Sequence, residues 1–331
     1  MNNHNKIRKL NRCGFSFLKN VCLLSEKSIK KTQKWHLACV RHIDAFKNRI
    51  VYYFMNQYMK PFIDLEYQGC KKVRHDIDDQ NIWVLWLQGE HNMPEIVSLC
   101  FQKLQENSSG HNIILLTKGN LNSYLDISAN ILNRVGKSMS YAAFSDYLRF
   151  NLLSLYGGLW IDSTYLVTRP LDNDIFETEF WSLHKPFPSL YEPHYAIISK
   201  SKWTGNLMYS SKGCKYIKLC RNLFCNYWDY YDKTFDYFLI DDCIWYIYTS
   251  FKEFQALIDS LPITNIHSLS LGKAFNSEWN EKQWNEWISS TQFFKLTYKG
   301  DFMKEIHKKL TNYGYLLETN RHSQCETGNS Y

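Results

Sequence analysis

Residues 82–87, Ile-Trp-Val-Leu-Trp-Leu, form a run without a polar position. A second such run, Ile113-Ile-Leu-Leu116, follows a helical pattern that Pro94 opens and Leu104 closes. Strands apolar at every position need cover on both faces, and strands joined through a helix run parallel. This pairing predicts a mostly parallel central sheet clad in helices, a Rossmann-like α/β fold that binds nucleotides beyond the carboxyl ends of its strands. A third unit repeats the theme. Residues 140–155 place Ala143, Tyr147, Phe150 and Leu153 on one helical face, Gly157-Gly158 ends the helix, and Leu159-Trp-Ile161 reads as a short buried strand. Farther on, strand-like runs at 180–183, 196–198 and 293–296 alternate with helical patterns at 205–228 and 241–258.

The first 78 residues read differently. Apolar positions at helical spacing (Phe15, Leu18, Cys22, then Ile43, Phe46, Ile50, Phe54) predict two or three amphipathic helices. Segment 1–60 carries thirteen Lys and Arg against only Glu26 and Asp44, a charge of +11, which leaves −4 on the remainder. Such a basic arm suits an anionic partner, for instance a phospholipid surface; a merely solvated helical face explains it equally well. Residues 68–80 have no period and read as a connector, so the chain divides into a basic helical arm with connector, 1–78, and an α/β body, 79–331.

Ten cysteines without a C-x-x-C pair predict reduced thiols rather than a zinc site or a disulfide scaffold. No apolar run approaches the ~20 residues of a bilayer span, and Lys19-Asn20 breaks the stretch 13–24 as a signal-peptide core. The expectation is a cytoplasmic protein, peripheral on the inner face of the membrane if the arm binds there. P-loop, nucleophile-elbow, H-E-x-x-H and G-x-G-x-x-G motifs are all absent from the sequence, which removes support for kinase, hydrolase and dehydrogenase chemistry, and nothing points to nucleic acid.

Chemistry concentrates in Ser145-Asp146-x-x-Arg149 on the third unit's helix and Asp162-Ser163-Thr164 just past its strand. One turn of helix can offer a carboxylate to ribose hydroxyls and a guanidinium to a phosphate, and an Asp past a strand end sits where open α/β sheets bind ligands. Taken singly, Asp146 and Arg149 read as an ordinary i,i+3 ion pair, Asp162 as a turn residue and Trp86 as a core neighbour of Trp83.

Trp83-x-x-Trp86-x-Gln88-Gly89, Asn92-Met-Pro-Glu95, Phe144-Ser-Asp-Tyr-Leu-Arg149 and Tyr156-Gly-Gly-Leu-Trp-Ile-Asp162, in this order, resemble glycosyltransferase family 32, the DXD-region sugar transferases, and within it the bacterial capsular polysaccharide synthesis branch. The likeness runs from about Ile82 to Pro170, and more loosely to Lys299. It implies a GT-A fold and hexosyl transfer, with retention, from a nucleoside-diphosphate sugar (a UDP-sugar first) to a hydroxyl of a surface or capsular glycan, lipid-linked or free. It implies that Trp86 stacks on the base, that Asp146 and Arg149 hold the donor, and that Asp162 is the first DXD acid. Asp241, opening a helix, would hold sugar or acceptor hydroxyls, and Lys295 and Lys299 would cover the leaving diphosphate.

Where the motif has its second acid, this chain has Thr164. Mn²⁺ or Mg²⁺ would therefore rest on Asp162 with the Thr164 hydroxyl, or with a later acid such as Glu278 or Asp301. Two rival expectations remain: a toxin-like effector that glycosylates a host protein, and a silent nucleotide-sugar binder.

Overall fold

In a computed structural model, residues 10–32, 37–187 and 198–327 are described. In chain order the elements that build the site are helices α1 (Arg12–Thr32) and α2 (Leu37–Phe54), strand β1 (Ile82–Leu85), helix α3 (Glu95–Glu106), strand β2 (Ile113–Leu116), helix α4 (Tyr141–Leu155), and strands β3 (Gly158–Ile161), β4 (Tyr165–Val167), β5 (Phe180–Ser182) and β6 (Leu207–Ser210). Helices α5 (Lys215–Tyr230) and α6 (Leu239–Ser250) and strand β7 (Phe293–Lys295) complete the set.

The central sheet has the order β2-β1-β3-β6-β5. Strands β2, β1 and β3 are parallel, in the register Ile82↔Ile113 and Trp83↔Trp160, whereas β6 runs antiparallel to both β3 and β5. The expected α/β architecture is present, but the sheet is mixed. The difference comes from β6. Its Leu-Met-Tyr-Ser is buried throughout and merges in the sequence with the helical pattern that follows, so 205–228 reads as one helix; the turn through Gly213 at φ 88° separates strand from α5. Of the run expected at 196–198, residues 196 and 197 lie outside the described residues, and Ile198 lies in a turn.

Alternation sorts the strand residues between two cores. Trp83, Trp160 and Met208 point into a cluster shared with α4, α5 and α6. Their neighbours Ile82, Val84, Leu159, Ile161, Leu207 and Tyr209 pack with Phe101 and Leu104 of α3 on the other face. A period of two along strands covered on both sides requires this division.

The turn from α4 to β3 depends on glycine. Gly157 and Gly158 adopt φ 77° and 100°, and a Cβ on Gly158 would lie 2.5 Å from the Asn81 carbonyl oxygen. The Trp83 indole donates to the Gly157 carbonyl at 2.8 Å and ties this turn to β1. Without that turn, Arg149 on α4 and Asp162 past β3 could not face each other.

Helices α1 and α2 pack on each other and on the α5–α6 side of the body, where Leu18, Cys22, Val51 and Phe54 join the large cluster. Phe54 meets Phe235 edge-on, with ring centroids 4.9 Å apart. The buried row on α2 is not the expected apolar one: Asp44, Lys47, Val51 and Phe54 are buried, whereas Phe46 is exposed. The two charges are buried because each has a partner, Lys47 in Asp236 at 2.6 Å and Asp44 in Lys200. Among the described residues, no helix is long and apolar enough to cross a membrane.

Candidate active site

Asp162 is the hub. It leaves the carboxyl end of β3, with its amide bonded to the Asn206 carbonyl at 3.1 Å. Its Oδ1 accepts from Arg149 Nη2 at 3.1 Å and from the Trp160 indole at 2.9 Å, and its Oδ2 accepts from Lys295 Nζ at 2.7 Å. Arg149 in turn donates to Asp146 Oδ1 at 2.8 Å and lies over the Trp160 ring, 4.9 Å from its centroid. Lys295 arrives from 133 residues away because β4 pairs antiparallel with β7, in the register Tyr165↔Lys295.

Two clefts meet at this hub, both bordered by Ala142, Ser145 and Asp162. The larger, about 1490 Å³, has Trp86, Leu121, Lys118, Asp126, Thr164 and Lys299 on its walls. Trp86 lies one residue past β1, its indole bonded to the Asn92 carbonyl at 3.2 Å and its ring edge-on to Tyr298. Trp83, by contrast, is fully buried beneath the sheet, so the two tryptophans of the motif have different surroundings. The smaller cleft, about 460 Å³, is lined by Asp146, Asp241, Trp203, Lys185 and Tyr237 as well as the hub.

Asp241 and Asp242, adjacent in the first turn of α6, diverge. Asp241 faces the smaller cleft and accepts from the Trp203 indole at 2.9 Å. Asp242 is buried behind it; burial, together with the charge of Asp236, pushes its carboxyl up, against the pull of Lys47. In the cleft, burial raises Asp241 to about 7, assisted by the negative charge of Asp146 and opposed by Trp203 and Arg149. Burial likewise lifts Asp146 to about 6, with Arg149 pulling down and Asp162 pushing up. Burial also acts against a charged Asp162, but Lys295 and Arg149 outweigh it and hold that carboxyl below its ordinary value.

Among the described residues, no three His, Cys, Asp or Glu side chains gather in a group that could hold a metal ion. Both Asp162 oxygens already face cations, and a hard dication needs anionic oxygens of its own. Neither later acid supplies them: Glu278 pairs with Lys309 at 2.6 Å, and neither it nor Asp301 borders either cleft. Trp160, Trp203 and Asn206 were not singled out in the sequence. Trp160 had a signal, since the i,i+2 spacing to Asp162 puts both on one side of an extended chain. Trp203 follows no motif.

A model of the family described as capsular polysaccharide synthesis protein matches residues 31–315. The chain belongs to this family. The match takes in α2 together with every residue of the two clefts named above, so the family extends beyond the α/β body into the arm. Among curated proteins nothing matches the chain.

Proposed function

We propose that this member of the capsular polysaccharide synthesis family is a GT-A-type glycosyltransferase of family 32 character, moving a hexose from a nucleoside-diphosphate sugar, first among them a UDP-sugar, to a hydroxyl of a capsular or surface glycan. The observation that carries the reading is the meeting of two chemically different clefts at Asp162. The larger offers an indole face and the cations Lys118 and Lys299, suited to a base and a diphosphate. The smaller offers the carboxylates of Asp146 and Asp241, suited to sugar hydroxyls, and its ~460 Å³ has room for a hexose with an acceptor hydroxyl beside it. The bond between anomeric carbon and diphosphate then lies over Asp162.

In transfer, that bond breaks with its electron pair going to the diphosphate, the acceptor oxygen bonds to the anomeric carbon, and the acceptor's proton passes to an oxygen of the departing diphosphate. Catalysis is stabilisation of the growing negative charge on the leaving group. Lys295 and Arg149, held in place by Asp162, and Lys299 supply positive charge there, with no step through a divalent ion. Asp241 receives hydrogen bonds from hydroxyls of the sugar or acceptor. Retention of configuration follows the family 32 likeness, and the basic segment 1–60 carries the enzyme to an anionic membrane surface where a lipid-linked glycan is at hand.

The test is slow donor hydrolysis by the purified protein with UDP-, GDP- and CMP-sugars, each with and without chelator. Turnover of one donor class, persisting in chelator, is expected. Hydrolysis of none overturns the enzyme reading; hydrolysis abolished by chelator and restored by Mn²⁺ overturns the metal-free one.

A further inference from the structure

The α1–α2 pair leaves six large apolar side chains exposed, Leu23 and Tyr52 at about 45% and, more exposed, Phe17 (59%), Leu24 (60%), Phe46 (53%) and Tyr53 (62%). Phe17 and Leu24 are seven residues apart, two helical turns, as are Phe46 and Tyr53, so each pair forms a stripe along one side of its helix. Both stripes lie off the rows that pack inward, Leu18–Cys22 on α1 and Lys47–Val51–Phe54 on α2.

The two stripes are level with each other. At one end, Phe15 of α1 and Phe54 of α2 both touch the Tyr231 ring, at 5.5 and 6.0 Å, which puts Phe17 and Tyr53 at about the same level along the pair. At the other, Glu26 of α1 comes within 3.8 Å of Lys47 of α2, which puts Leu24 and Phe46 at about the same level. The four more exposed side chains therefore mark the corners of a rectangle on the outer face of the helix pair. Exposed basic residues adjoin it one turn on, Lys27 after Leu24 and Arg49 after Phe46.

We propose that this rectangle is the part of the arm that inserts into an anionic bilayer, seating the enzyme at the headgroup level with α1 and α2 in the membrane plane. The proposal rests on the reading that the arm meets an anionic surface, and adds which residues enter it. Charge decides the occupant: a surface within a segment of net +11 repels a second copy of itself, whereas acidic lipid headgroups attract it and the acyl boundary accepts the rings. The inward face of α2 meanwhile holds the walls of the smaller cleft, through Lys47 to Asp236 and Asp44 to Lys200, beside the cleft residues Tyr237 and Ser199. Insertion would therefore fix the acceptor cleft at a set height above the bilayer, within reach of a lipid-borne glycan.

The experiment uses the full chain and phosphatidylcholine vesicles with and without phosphatidylglycerol, at low and high salt. Wild type should bind only the anionic vesicles. A variant carrying Phe17→Ser, Leu24→Ser, Phe46→Ser and Tyr53→Ser, its melting unchanged because all four positions are exposed, should bind at least ~10-fold more weakly. Separately, Phe46→Trp should add emission that shifts to the blue on binding and is quenched by brominated acyl chains. Equal binding by wild type and the serine variant, or an unquenched Trp at position 46, overturns insertion and leaves electrostatic attachment standing. No binding by wild type overturns the anionic-surface reading itself, and insertion with it. Loss of self-association in the serine variant, with vesicle binding unchanged, assigns the rectangle to a second copy and also overturns the proposal.

Discussion

Asp162 and Asp241 lie on the same cleft, and burial acts on both to favour the neutral acid, yet they end on opposite sides of the ordinary carboxylate range. Asp162 has Lys295 and Arg149 against it and stays ionised. Asp241 has only the Trp203 indole and the more distant Arg149, with Asp146 across the cleft adding negative charge, and its carboxyl rises to about 7. A single cation is not enough against burial here: Asp146, bonded to Arg149 alone, still rises to about 6, whereas the pair Lys295 and Arg149 keeps Asp162 charged. One end is a fixed ion cluster suited to a developing diphosphate; the other is a proton-poised group suited to hydroxyls.

The largest effect should come from breaking the ion cluster. Asp162→Asn removes the charge that anchors both cations, and both donor hydrolysis and sugar transfer should fall by on the order of 10³-fold. Asp241→Asn should depress transfer to an acceptor well below hydrolysis, because hydrolysis needs no bound glycan. Initial rates with and without acceptor separate the two. Equal losses in both reactions for both variants would erase the division between the ends of the cleft.

The same rule can be tested behind the cleft. Asp236 is buried against Lys47, which burial would neutralise but which the charges of Asp236 and Asp242 hold ionised. Lys47→Met leaves the carboxylate buried without its cation, holding only the Phe238 amide, which should cost about 3–5 kcal/mol of stability in denaturant melts. A loss under 1 kcal/mol would show that water reaches Asp236 and that charge pairing is not what docks α2.

Asp241 itself makes the third test. Its folded value, about 7, stands above the ordinary 3.8, so the folded protein holds that proton more tightly than the unfolded chain. The associated stability is present below about pH 4 and is lost as pH rises through 7. Asp241→Asn keeps an acceptor for the Trp203 indole and removes the charge, so its stability relative to wild type should grow between pH 4 and pH 8, reaching about 2–4 kcal/mol. A gap that does not change with pH would place Asp241 in water. Transfer by wild type should rise over the same range, as the carboxylate that receives hydroxyls forms.

How much of this was legible in the sequence depends on distance along the chain. The unit from α4 to Asp162 was readable because helix period, paired glycines and strand are contiguous, and the turn that brings Arg149 to Asp162 is local. Lys295 was placed near the diphosphate only by family likeness; its contact with Asp162 depends on β4 pairing with β7, which no local pattern announces. On α2 the apolar positions Phe46 and Ile50 suggested the inward row, but the pairing of Asp44 and Lys47 with residues some 150 to 190 positions on turns that row toward the charges and leaves Phe46 outside. Strand β6 was absorbed into the helix beside it, since a four-residue apolar run has no period of its own.

The smallest expected effect concerns the far side of the hub, where the larger cleft sets an aromatic face against the carboxylates of the smaller one. Trp83 and Trp86 are three residues apart, and only the end of β1 between them distinguishes their roles: the first is inside the sheet's core, the second on the cleft wall. Loss of a stacking partner is worth about 1–3 kcal/mol, so Trp86→Ala should weaken binding of the free nucleoside diphosphate by about ten- to a hundredfold. Its melting temperature should stay near that of wild type, because the ring is only partly buried and its one hydrogen bond ends on a loop carbonyl. Trp83→Ala should do the reverse, melting far earlier through loss of a buried ring and of its bond to Gly157. Titration calorimetry beside thermal melts reads both. If Trp86→Ala melts early with affinity intact, the ring supports the Asn92 loop, and the base binds elsewhere along the cleft.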